Sequence, residues 1–138
     1  RDRYCELSSA EKLRRKKIAD DARKIILSVL TADDQDDTSL IAEYQGYYMQ
    51  ISFSGLHPLM IICLAKTLGN LGTENQIKKI NELNLHSILG SHTINDEVGC
   101  YSYRAAYWLD SELDPARFFE ILDRYVDEAD RGYYKLTC

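Results

Sequence analysis

The chain has 138 residues, enough for one hydrophobic core and too few for two ordinary ones. Seventeen Lys and Arg against twenty-two Asp and Glu leave a net charge of -5, the wrong sign for general attraction to a phosphate backbone or an anionic bilayer. With 45% hydrophobic residues and two prolines the chain should fold, and its longest mostly apolar run, Leu59 to Ala65, is far short of the roughly 20 residues of a membrane span. No nucleic acid and no membrane are expected as partners.

Ser8 and Glu11 have the spacing of a capping box, and Ile18, Ala22, Ile25, Ile26 and Val29 form one helical stripe. A first helix is predicted over Ser9 to Leu30. Asp33, Asp34, Asp36 and Asp37 crowd like charges and predict a loop. Leu40 to Tyr44 and Tyr47 to Ser54 then flank Gln45-Gly46 as a hairpin, the glycine supplying positive φ. In the second arm Tyr47, Met49, Ile51 and Phe53 alternate with Tyr48, Gln50, Ser52 and Ser54, so the first set faces the core.

After the break at Gly55 to Pro58, Leu59 to Ala65 is apolar on both faces and reads as a central strand covered on each side. Gly69, Asn70 and Gly72 punctuate, and Thr73 with Gln76 repeats the capping-box spacing ahead of a helix over Thr73 to Asn84. Leu85 to Ile94 reads as strand, Asn95 to Gly99 as turn, and the tyrosine-rich Cys100 to Leu109 as the second arm of a hairpin. Asp114 before Pro115, with Leu113 placed to staple against Phe118, starts a third helix running to Tyr133.

The predicted order is helix-β-β-β-helix-β-β-helix: one α+β domain over residues 1–138, its helices packed on an antiparallel five-stranded sheet. Residues 1–17 form a polar extension and helix start whose role stays unassigned, and 18–138 form the body.

This order, with Tyr44-Gln45-Gly46 at the first turn, Ile80-Asn81-Glu82-Leu83-Asn84 closing the middle helix and Tyr103-Arg104 in the last hairpin, resembles the YbjN-like bacterial family of sensory-transduction regulators. The resemblance covers about Ile18 to Tyr134 and implies the type III secretion chaperone-like fold. It brings no catalytic residue. It implies a regulatory or chaperone-like role in binding polypeptide, with the homodimer usual for that fold.

Chemistry is weakly signalled. Counting an EF-hand from Asp33 puts Thr38 and Tyr44 where glycine and glutamate are needed, so a solvated loop is the better reading. His86 and His92, on one predicted strand, would lie roughly 20 Å apart, beyond a shared metal. Arg14-Arg15-Lys16-Lys17 spans little more than one helical turn and is followed by Asp20 and Asp21, as a solvated face would be. Gly69 and Gly72 lack the lysine of a P-loop and the third glycine of a dinucleotide fingerprint. No metal, cofactor or catalytic residue is expected.

Cys5, Cys63, Cys100 and Cys138 form no C-x-x-C pair, which favours reduced thiols and the cytoplasm. Cys63 reads as core. Cys100, beside a polar turn, is the one cysteine whose setting permits reactivity, so a small thiol-dependent enzyme using it is the alternative function.

The expected function is a non-enzymatic protein-binding module. Ten tyrosines, several on hairpin strands, offer large rings with polar tips. In the last strand Cys100, Ser102, Arg104, Ala106 and Trp108 share a face opposite Tyr101, Tyr103, Ala105, Tyr107 and Leu109. We take the face with Arg104 and Trp108 as the exposed, binding one, because Ser102 and Arg104 are costly to bury unpaired and Arg and Trp are frequent interface anchors. Tyr48 and Gln50 extend that surface if the strands align.

Overall fold

The computed structural model describes residues 7–36, 38–54, 57–69, 73–95, 97–109 and 113–137. Cys5, Asp37, Asn70, Gly72 and Cys138, and the first six residues of the polar start 1–17, lie outside the described residues. The elements are α1 (Ser9–Val29), β1 (Asp34–Gln35), β2 (Ser39–Tyr44), β3 (Tyr47–Phe53), β4 (Leu59–Thr67), α2 (Glu74–His86), β5 (Ser91–Asn95), β6 (Cys100–Trp108) and α3 (Pro115–Thr137). The order is α+β as expected, with six strands in place of five. The sixth is β1, formed inside the acidic stretch read as loop, where Asp34 and Gln35 pair with Ile41 and Leu40.

The sheet runs β1-β2-β3-β4-β6-β5, with every neighbouring pair antiparallel. Gln45 and Gly46 both take positive φ, 49° and 86°, the combination a tight two-residue hairpin requires. The Ser8 hydroxyl accepts the Glu11 amide at the start of α1, while the Glu11 carboxylate meets Arg14 and Arg15. At Thr73 and Gln76 the capping box is complete. The Asp114 carboxylate accepts the Ala116 amide, and Leu113 and Phe118 are both buried at the start of α3.

Two further stretches depart from the expectation. Leu85 and His86 continue α2, because Asn84 in its last turn bonds the His92 backbone and Ser87 just past its end bonds Glu128, and only Ser91 to Asn95 is strand. The other departure is β4, which is central as expected but covered on one side only. Met60, Ile62 and Leu64 are buried, whereas Leu59, Ile61, Cys63 and Ala65 are half-buried.

The core lies between the sheet and the long helices. From the sheet come Leu40, Ala42, Tyr47, Met49, Ile51, Met60, Ile62, Leu64, Tyr101, Tyr103 and Ala105. Ala22 and Ile26 of α1 and Phe118, Leu122, Tyr125, Val126 and Ala129 of α3 close it from above. All the sheet residues in this set have one parity, so both long helices lie on the same face. Helix α2 packs beside β5 and α3 at one end.

Candidate functional site, a sheet face left uncovered

The opposite parity builds a second face that no described helix covers. The registers align its side chains into rows across the strands. One row runs Ile41, Gln50, Cys63, Arg104 and Ser91, and the next runs Glu43, Tyr48, Ala65, Ser102 and Thr93. Ser52, Ile61 and Ala106 form a third, and Leu59 with Trp108 a fourth. None of these residues is buried. Trp108 is 52% exposed and Tyr48 69% exposed, so two aromatic rings stand in solvent on one sheet.

Tyr48, Gln50, Arg104 and Trp108 thus share the uncovered face, with Gln50 and Arg104 in one row on either side of Cys63. Ile41, Leu59 and Ile61 belong to the same surface, and the sequence reading missed them. An apolar run on both parities of β4 does not say whether a face is covered by the chain itself or left for another molecule. Cys63, read as core, lies half-buried on this face, and burial pushes its thiol above the ordinary value against the pull of Arg104.

Neither His92 nor Arg104 stands beside Cys100 in the fold. The Cys100 thiol donates to the Tyr101 carbonyl at 3.5 Å. His92 lies on the other side of the sheet, buried, with Nδ1 2.6 Å from the Tyr101 hydroxyl. Arg104 shares a face with Cys100 but stands four residues further along β6, roughly 13 Å away at strand rise. His86 closes α2 and is not on a strand with His92, so the expected 20 Å strand separation does not apply. His57 is exposed beside Pro58. Among the described residues no three His, Cys, Asp or Glu side chains are grouped as metal ligands would be.

In the acidic stretch the Asp36 carboxylate accepts the Thr38 and Ser39 amides, which lower its pKa. It closes a turn. No described helix is long and apolar enough to cross a membrane.

One buried charge escaped the sequence reading. The Glu128 carboxylate of α3 accepts the Ser87 hydroxyl at 2.8 Å, the Gly90 amide at 3.0 Å, the Ile88 amide at 3.2 Å and the Tyr103 hydroxyl at 2.5 Å. Burial pushes this carboxyl up, but the Tyr103, Ser87, Gly90 and Ile88 donors outweigh it and hold it at about 2. The signal was available: Glu128 stands three residues after Tyr125 and four before Gly132, on the buried side of α3. Its grip fixes the α2–β5 connection so that Leu85, 72% exposed, and Ile88, 88% exposed, project from that corner.

No protein-family model matches the sequence, and no curated protein does. Solved structures do match in fold. YbjN from E. coli superposes with a TM-score of 0.60 at 7% identity, over 84% of this chain and 88% of that one. A chain of the ExsC–ExsE complex gives 0.63 at 15% identity, over 92% of this chain and 96% of that one. A chain of the HopA1–SchA chaperone–effector complex gives 0.54 at 10% identity, over 95% and 98%. The fold is therefore the YbjN-like, type III secretion chaperone-like one.

Proposed function

We propose that this chain is a non-enzymatic, chaperone-like or regulatory module that recognises another polypeptide on its uncovered sheet face. The observation that carries the reading is the exposure of Trp108 and Tyr48 at opposite corners of a face whose centre, Ile61, Cys63 and Ala65, is apolar. A soluble sheet that keeps one face wet ordinarily lines it with polar side chains. Here the apolar centre and large rings suit a protein surface, with Arg104 and Gln50 supplying polar selectivity. The chaperone–effector complexes sharing this fold are protein–protein assemblies, which supports the same class of partner.

The same reading takes the chain to act as one folded unit, as a homodimer, in the cytoplasm. A second copy is supported by Leu85, Ile88 and Leu89, which leave a separate apolar corner open beside α2. Sedimentation together with pull-down from the native cell tests the whole reading. Trp108→Ala and Arg104→Ala, each shown by circular dichroism to remain folded, should lose the partner captured by the parent chain. Retention of the same partners by both variants contradicts the assignment of the face.

A further inference from the structure

The uncovered face also constrains the shape of what sits on it. Its backbone has nothing to offer: the N–H and C=O groups of β3, β4 and β6 lie in the sheet and pair with a neighbour on each side. An extended segment laid across the face would bury its own N–H and C=O groups against side chains, at a cost that apolar contact does not recover. A helix satisfies those groups internally.

Strand addition at a sheet edge is the other route for an extended partner, and at β5 it is obstructed. The Asn84 amide nitrogen donates to the His92 carbonyl at 2.9 Å, and its oxygen accepts the His92 amide at 2.7 Å. A side chain there does what an added strand would do. At the far edge, β1 is two residues long and flanked by Asp33 and Asp36.

The surface has the dimensions of a helix seat. Tyr48 and Trp108 stand two strands and six residues apart, roughly 20 Å, which matches about 14 residues of α-helix. Between them Ala65, Cys63, Ser102, Ser52 and Ala106 form a floor of mostly small side chains, with Ile61 standing between Ser52 and Ala106 as its large apolar member. Arg104 rises beside this floor and makes no ion pair among the described residues. The facing charge is left for the partner to supply.

We infer that the uncovered sheet face takes its partner as an amphipathic α-helix whose apolar stripe is bordered by an acidic residue that meets Arg104. This inference rests on the assignment of that face as the binding surface.

Two displayed peptide libraries of equal length test it, both randomised at apolar and border positions. One is built on a helix-forming frame, the other carries prolines that forbid helix. The folded parent chain should enrich the helical library, with Asp or Glu at one border position. Those binders should weaken about tenfold on Arg104→Glu and on Trp108→Ala. Selection on Arg104→Glu should exchange the acid for Lys or Arg. Proline-library binders lost on Trp108→Ala would overturn the helix while leaving the face assigned, as would helical binders lost on Trp108→Ala but indifferent to Arg104→Glu. Binders insensitive to both Trp108→Ala and Tyr48→Ala, or none from either library, would remove the assignment itself. A dimer dissolved by Trp108→Ala and Arg104→Glu would show the face paired with its own copy and also overturn the helix.

Discussion

Replacing Glu128 with glutamine should destabilise the protein in a way that depends on pH. The carboxylate holds the Ser87 and Tyr103 hydroxyls and the Ile88 and Gly90 amides, and in the folded chain it ionises at about 2 against an ordinary 4.5. A folded-state pKa below the unfolded one stabilises the fold above the unfolded value, and that stability is lost as pH falls through the window from about 5 to 2. The shift converts to about 3 kcal/mol. Ile88 and Leu89 face solvent beside the carboxylate, and that screening lowers the expectation to about 2 kcal/mol. Glu128→Gln keeps the shape, removes the charge and turns an NH2 group toward existing donors. At pH 7 urea unfolding followed by circular dichroism should therefore show a loss of about 2–3 kcal/mol. At pH 3 the gap between parent and variant should shrink by more than half, because the parent has then lost most of this contribution. An equal gap at both pH values, or none at pH 7, would refute the account of Glu128 as a charged clamp.

Three further expectations follow from single contacts. Asn84→Ala uncovers the His92 amide and carbonyl on the β5 edge, so unfolding should show a loss of about 1–2 kcal/mol and light scattering a rise in self-association. Gly132→Ala places a methyl 2.5 Å from His92 Nδ1 and 2.8 Å from the Tyr101 hydroxyl, so denaturation should register a cost of about 1–3 kcal/mol; a neutral result would mean that these rings are free to move. Cys63 should react with a thiol probe more slowly than a free cysteine at pH 8, since burial raises its thiol, and bound partner should slow it further. Partner-independent reactivity would place Cys63 outside the contact.

Much of this fold is legible where local chemistry decides it. The Thr73–Gln76 box, the Asp114–Pro115 start and the Gln45–Gly46 turn depend on neighbours within a few residues. The two parities of β3 and β6 are likewise written in the chain, which is why Tyr48, Gln50, Arg104 and Trp108 could be grouped before their registers were known. What could not be read depends on distant partners. Asp34 and Gln35 become strand only because Ile41 and Leu40 lie opposite them. The continuation of α2 through Leu85 is fixed where Asn84 reaches His92 and Ser87 reaches Glu128, forty-one positions away. On β4 the pattern was apolar on both faces, and periodicity carries no mark that tells a face buried by its own helices from one kept for a partner.

The claim that the uncovered sheet is the contact surface is tested most directly by site-specific photocrosslinking in the native cell. A photoreactive residue in place of Gln50 or Thr93, on that face, should give an adduct with one common partner, while the same residue in place of Glu120 or Asp127, on the solvent side of α3, should give none. Adducts confined to the α3 positions would contradict the account.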